Sequence, residues 1–348
     1  MNLWKTIICM ALALALSLSL VACGGGSSKV TLNVLNWGDY IDPELLRQFE
    51  DETGITVKYT TMTSNEEMLV KLASKDNIYD VCFPSDYLIE KLVADDLLYA
   101  INKDNIPNLK NIDPRFMDLS FDPGNTYSVP YMWGTVGILY NTTMVSDPVD
   151  SWNILWDEKY AGQILMYDSM RDTIGITLKK LGMDINTRSE ADVLAAQEAL
   201  IAQKPLVRAY LTDDIKMELI NGSAAMGVVY SGDAVYCISE NPDLAYAVPQ
   251  EGSNVWFDNI IIPKSSQHTA EAEQFINFLC DAQVAAQNSD YIGFSTPNAE
   301  ALKLMDSSYA EDPTYNPPQN VLDRCQIFQD LGDFVKVFSD AWTKVKAA

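Results

Sequence analysis

The chain has 348 residues, and at about 150 residues per domain that length suggests two domains. Hydrophobic residues make up 48%, enough for real cores, and 17 glycines with 15 prolines are too few for a fibrous or low-complexity chain. Asp and Glu number 48 against 24 Lys and Arg, a formal charge of −24, which excludes the basic stripe of a nucleic-acid binder and fits either a small cationic ligand or plain solubility.

Residues 1–22 read as a signal peptide, with Lys5 as the charged start and an apolar run from Ile7 to Leu20. That run is too short for a standard membrane span. It ends in Leu20-Val21-Ala22-Cys23, which resembles the lipobox of bacterial lipoproteins and implies cleavage before Cys23 and lipidation of its thiol. Gly24-Gly25-Gly26-Ser27-Ser28 follows as a flexible tether over residues 23–29.

The rest alternates strands and helices. Residues 30–37 read as a strand. Asp42-Pro43 opens a helix with a cap and a first-position proline, and Gly54 closes it. Residues 55–60 form a second strand. Ser64-Asn65-Glu66-Glu67 is a capping box for a helix with Met68, Leu69 and Leu72 on its apolar face. Residues 79–83 form a third strand. After a looser stretch over 102–125, strands are expected at 136–140, 163–167, 224–230 and 255–262. Helices are expected at 171–181, 190–203, 269–279 and 282–289. Such alternation implies a mainly parallel sheet with helices on both faces, an α/β fold.

Chemistry-bearing residues are sparse in some classes and recurrent in others. The single histidine, His268, sits at a helix start and reads as a surface residue, which removes multi-histidine metal sites. Cys82, Cys237, Cys280 and Cys325 are widely spaced and read as buried free thiols. Gly222 and Gly227 have the first spacing of a phosphate loop but no Lys-Ser/Thr after it. No metal or cofactor is expected.

In open α/β sheets, ligands bind beyond the carboxyl ends of strands. Here those ends combine aromatics and carboxylates: Trp37-Gly38-Asp39-Tyr40, Pro84-Ser85-Asp86-Tyr87, Asp168-Ser169-Met170-Arg171-Asp172, Tyr230-Ser231-Gly232-Asp233 and Trp256-Phe257-Asp258. Aromatic faces attract cations and cover methylene chains, and carboxylates accept charge-assisted bonds from ammonium groups. The pattern suits an alkyl chain bearing amines. Apart from Arg171, no lysine or arginine accompanies these motifs, so the ligand is expected to bring the positive charge. Taken singly, each aromatic also fits core packing, Asp39 a loop carboxylate and Asp172 a helix cap. Asp95-Asp96 and Glu66-Glu67 read as solvated surface.

The mature chain resembles the bacterial extracytoplasmic spermidine/putrescine-binding proteins, the capture subunits of polyamine ABC importers. The resemblance rests on Asn36-Trp37-Gly38-Asp39-Tyr40-Ile41, on Tyr79-Asp80-Val81 with Pro84-Ser85, and on Val129-Pro130-Tyr131-Met132-Trp133-Gly134-Thr135. Trp256-Phe257-Asp258 and Gly293-Phe294-Ser295-Thr296-Pro297-Asn298 complete it. It implies an aromatic box of Trp37, Tyr40, Tyr87, Tyr230 and Trp256. It places Asp39 and Ser85 near a terminal amine, Asp258 on an ammonium, and Asp172 where the family has glutamate. Phe294 stands where many relatives have tyrosine, and Tyr230 where they have tryptophan. Ser169 replaces an aspartate of the spermidine-preferring type, and Asp233 matches an aspartate of a putrescine-preferring type. That exchange tilts the reading toward putrescine, with spermidine next. Gln329 is a further candidate near the C-terminus.

The resemblance also implies a two-lobed type II periplasmic binding fold with two crossover strands, near 135–137 and 253–256. Lobe 1 would comprise 30–136 plus 256–305, and lobe 2 137–255 plus 306–348. The implied partners are a polyamine, ABC permease subunits and the membrane through Cys23. The protein would be a monomer outside the cytoplasm, anchored to the cell membrane or periplasmic, and not an enzyme. A sugar-binding lipoprotein of the same fold and a secreted glycosidase remain as alternatives.

Overall fold

The computed structural model describes residues 30–348; the signal peptide, Cys23 and the tether expected over 1–29 lie outside the described residues. The first half is built from β1 (Thr31–Trp37), β2 (Thr56–Met62) and β3 (Val81–Cys82). β1 pairs in parallel with both others. Asp42 accepts a 2.9 Å bond from the Glu44 N–H at the start of the helix Pro43–Thr53. Gly54, at φ 74°, ends that helix. Ser64 caps the helix Asn65–Ala73 through the Glu67 N–H, as the capping box predicts.

β4 (Ser128–Asn141) is the long element that joins the two halves. Over residues 128–135 it pairs antiparallel with β9 (Val255–Ile261), and over 136–141 with β7 (Met226–Tyr230) and β8 (Leu244–Ala247). The sequence places only its second part in a strand. Pro130 argues against a strand there, and the structure accommodates it with a register shift between Pro130 and Met132. β5 (Ile164–Tyr167) and β6 (Val207–Leu211) complete the second half, both in parallel pairings. Among the described residues the strand order is β2-β1-β3-β9-β4-β7-β5-β6, with β8 beside β4.

β6 and β8 are not among the expected strands. They are short and half-buried, so they lack both a continuous apolar run and a clean alternation. The helices Thr269–Leu279 and Glu190–Gln203 match their expected bounds, and His268 takes the half-buried position before the former. Cys82, Cys237 and Cys280 are buried free thiols and Cys325 is half-buried and free.

Phe49 and Phe275 pack edge to face at 4.9 Å in the main core, and Leu139, Leu165, Leu219 and Val229 form a second cluster under β7. Each such fully buried side chain contributes roughly 1.5–3 kcal/mol.

The chain returns to the first half at 253–256. Ser253 Oγ donates to the Val136 carbonyl at 2.6 Å, and the Val136 N–H donates to the Asn254 carbonyl. A third passage runs alongside: the Val255 N–H donates to the Gln326 carbonyl, and the Gln326 N–H to the Ser253 carbonyl. Before it, Tyr315 is still bonded to Ser289, Ser295 and Thr296 of the first half. After it, the helix Val335–Ala347 packs on the helices of the second half.

Gly252 stands beside these passages at φ 83°, and a Cβ there would run into the Arg324 carbonyl. Gly252→Ala is therefore expected to destabilise the fold by about 1–3 kcal/mol. Thermal unfolding checks this, and an unchanged melting temperature would show that the passage relaxes freely.

Candidate functional site

Carboxyl ends of β1, β3, β5 and β7 converge on one cleft with the first residues of β9, so that Trp256 and Asp258 lie within a strand and not beyond its end as expected. Its wall is a continuous aromatic row. Tyr230 ends β7 and meets Trp256 of β9 at 5.8 Å between ring centroids. Trp256 meets Phe294 at 5.3 Å, and Phe294 meets Tyr40 at 5.6 Å, all edge to face. The approach needs glycines: a Cβ on Gly134 would meet the Trp256 indole at 2.6 Å, and one on Gly232 would enter the Phe294 ring.

Each end of the row carries a carboxylate. At one end the Tyr40 hydroxyl donates to Asp258 Oδ2 at 2.7 Å. At the other the Tyr230 hydroxyl donates to Asp172 Oδ2 at 2.8 Å, and the Ser169 hydroxyl reaches the same oxygen at 2.6 Å. Ser169 also caps the helix Met170–Lys180, which places Asp172 in its first turn. Asp86 and Asp233 likewise lie in first helical turns, of Asp86–Ala94 and Ser231–Glu240. The partial positive charge of a helix N-terminus supports a carboxylate. Asp258 has no such support because it sits inside β9.

Asp258 is therefore the outlier of the group. It is 7% exposed, its Oδ1 has no hydrogen-bond partner among the described residues, and burial pushes its carboxyl up to about 6 against the opposing hydroxyls of Ser85 and Tyr40. Among the described residues no lysine or arginine is ion-paired with it. Trp256 Nε1, a few atoms along the same strand, is also buried and unpartnered. Two idle polar groups in a site nine-tenths removed from water call for a polar ligand.

The chain matches a family model described as bacterial extracellular solute-binding protein over residues 44–317. It belongs to that family. It is 35% identical to the spermidine/putrescine-binding periplasmic protein of Salmonella typhimurium, over 92% of this chain and 93% of the relative. The solved spermidine/putrescine ABC transporter substrate-binding protein from Streptococcus pneumoniae superposes with a TM-score of 0.81 at 38% identity, covering 92% and 99% of the two chains. A solved chain from Listeria monocytogenes superposes at 0.87 with 41% identity, covering 91% and 98%. These solved relatives carry the two-lobed periplasmic binding fold, and the mixed α/β sheet described above is that fold.

The remaining expected residues of this solute-binding protein fall into two groups. Trp37 is half-buried and donates its Nε1 to the Phe83 carbonyl at 2.9 Å. Ser85 pairs across a backbone bridge with Asp258, and the Tyr87 hydroxyl accepts from Asn65 at 2.9 Å. Asp39 is exposed, in a turn at φ 48°, with no protein partner among the described residues. Gln329 is exposed too, and its backbone carbonyl rather than its side chain is engaged, accepting from Arg171.

Two protein cations alter the sequence expectation that the ligand supplies all the positive charge. Lys216 stands 3.3 Å from Asp233. Its helix Ile215–Ile220 is remote from the strand-end motifs in sequence, so only tertiary packing reveals the pair. Arg171 is 6% exposed and its guanidinium lies over the rings of Phe328 at 4.4 Å and Tyr87 at 5.3 Å. Tyr87 comes from the first half and Arg171 from the second, so this contact bridges the cleft. Arg171 is visible in the sequence beside Asp172, but its aromatic partners are not.

Proposed function

We propose that the chain captures a polyamine, putrescine or spermidine, outside the cytoplasm and delivers it to an ABC permease. The observation that carries this reading is the buried Asp258 carboxylate, idle on one oxygen and without a protein cation, at the head of a row of aromatic rings. An ammonium satisfies the carboxylate, and the rings cover the methylene chain. The names of the relatives support the same ligand class. A sugar would leave the Asp258 charge unanswered, and the relatives are binding proteins, which speaks against the glycosidase.

The residues proposed to hold the ligand are Trp37, Tyr40, Ser85, Tyr87, Asp172, Tyr230, Asp233, Trp256, Asp258 and Phe294. Ser169 acts through Asp172. Asp39 and Gln329 would join only at the exposed rim. The ligand is bound without bond-making. Lobe 1 would be 30–136 plus 256–305 and lobe 2 137–255 plus 306–348, with the Tyr315 contacts keeping the start of that last segment against lobe 1. A lipid on Cys23 would hold the monomer at the membrane. No helix among the described residues is long and apolar enough to cross one.

The contacts that bridge the cleft, such as Arg171 on Tyr87 and the Asp330 N–H on Glu90 at 2.8 Å, belong to a closed state that ligand would favour. Small-angle scattering should show compaction when putrescine is added. Identical profiles at saturation, with an empty protein shown to be open, would contradict closure.

Affinity should also depend on pH. The empty protein holds a proton on Asp258 below about pH 6, and that proton must leave before an ammonium can pair. Affinity is expected to fall toward tenfold per pH unit on the acid side of 6. Titrations at pH 5, 6 and 7.5 check this; constant affinity would mean that Asp258 does not meet the ligand charge.

A further inference from the structure

The third passage between the halves is a strap with no ladder of its own. From Ile327 to Leu331 the chain forms neither helix nor strand, so its backbone groups need partners from elsewhere. The second half supplies several. Asn186 Nδ2 donates to the Ile327 carbonyl at 2.8 Å, and Asn186 Oδ1 accepts from the Gln329 N–H at 2.9 Å. Both terminal nitrogens of Arg171 donate to the Gln329 carbonyl at 3.3 Å, and Arg188 donates to the Asp330 carbonyl at 3.0 Å. The Phe328 ring lies so close to the helix Met170–Lys180 that a Cβ on Gly175 would meet it at 3.1 Å. The strap is fastened to the second half along its length.

To the first half it offers a single polar contact. The Asp330 N–H donates to Glu90 Oε2 at 2.8 Å, and among the described residues this is the one hydrogen bond from residues 327–331 to the first half. Glu90 is half-buried on the helix Asp86–Ala94, one turn after Tyr87, whose ring meets Phe328 edge to face at 6.4 Å. A carboxylate accepting from a backbone N–H makes a charge-assisted bond, stronger than a neutral one.

We propose that Glu90 latches the closed cleft through the Asp330 N–H, and so sets how long the ligand stays without touching it. This rests on the polyamine reading and its closed state, and extends them to a residue outside the aromatic row. When the halves part, the strap keeps its bonds to Asn186, Arg171 and Arg188, and the joint with Glu90 and Tyr87 opens. A bond made only in the closed state raises affinity by the factor by which it favours that state. It acts on release, which needs opening, and leaves entry into the open cleft alone. Because the Glu90 carboxylate is engaged with the strap, the effect is the same for every amine the cleft takes. Glu90 is a positioning residue for affinity and not for specificity.

The test is stopped-flow fluorescence of putrescine and spermidine binding to the parent, Glu90→Ala and Glu90→Gln, with thermal unfolding of each empty protein. Glu90→Ala should release both amines about tenfold faster, the value of one bond to a charged group, with the association rate and amine preference of the parent. Its empty form should melt with the parent, since alanine suits a helix and the latch is open without ligand. Glu90→Gln keeps an acceptor for the Asp330 N–H and should stay within about threefold of the parent. If Glu90→Ala does not fold, Glu90→Leu carries the same prediction. Parent-like release from Glu90→Ala overturns the proposal, and so does a lower melting temperature of its empty form, which would make the bond part of the resting fold. A loss confined to one amine would put Glu90 on the ligand, and a Glu90→Gln as fast as Glu90→Ala would make the effect one of charge alone; either result also overturns it. A parent that binds neither amine overturns the polyamine reading itself.

Discussion

Asp258→Asn should weaken putrescine binding by about 2–5 kcal/mol, roughly thirtyfold to several thousandfold, while leaving the empty protein at least as stable as the parent. The two halves of that expectation have one cause. The carboxylate is buried in β9 without a cation, and burial raises it to about 6. Its charge is unfavourable in the empty fold and is answered only when an ammonium arrives. Asparagine removes the charge and can still accept from the Tyr40 hydroxyl, which now bonds Oδ2 at 2.7 Å. Calorimetry and thermal unfolding on the same sample separate the effects. Parent-like affinity would remove Asp258 from the ligand, and a large drop in melting temperature would make it a structural group.

Trp256→Ala should act on both quantities. Its indole is 8% exposed, meets Tyr230 and Phe294, and is packed by the Gly134 backbone. Removing it should lower the unfolding free energy by about 3–5 kcal/mol. It should also reduce putrescine affinity at least tenfold, because the ring flanks the path between Asp172 and Asp258. Denaturant unfolding followed by titration under native conditions checks each part. Lost stability with retained affinity would make Trp256 a core residue alone.

The sequence revealed most where a signal is local. The Asp42-Pro43 start, the Gly54 stop and the Ser64 box each involve residues within a few positions, and the helix ends follow them. β4 was half hidden by Pro130, and β6 and β8 by their partial burial, because register and edge position are set by strands far away in the chain. In the cleft, most of the aromatic and acidic residues follow strand ends and are visible as motifs, while Trp256 and Asp258 form a motif inside β9. Their partners are not visible in this way. Lys216 reaches Asp233, and Phe328 reaches Arg171, across distances in sequence that no spacing rule spans. Ser169 shows the converse: the sequence offers the cap alternative to Asp172, and the structure makes Ser169 the cap and bonds its hydroxyl to the Asp172 carboxylate.

The central claim is that a charged diamine fills this cleft, with its ammonium groups on Asp258 and Asp172 and its methylenes on the aromatic row. The most direct measurement is a pair of calorimetric titrations, one with putrescine and one with butane-1,4-diol, which has the same carbon chain and no charge. Saturable one-to-one binding of putrescine with no detectable binding of the diol is the predicted result. Equal binding of both, or binding of neither, would contradict the account.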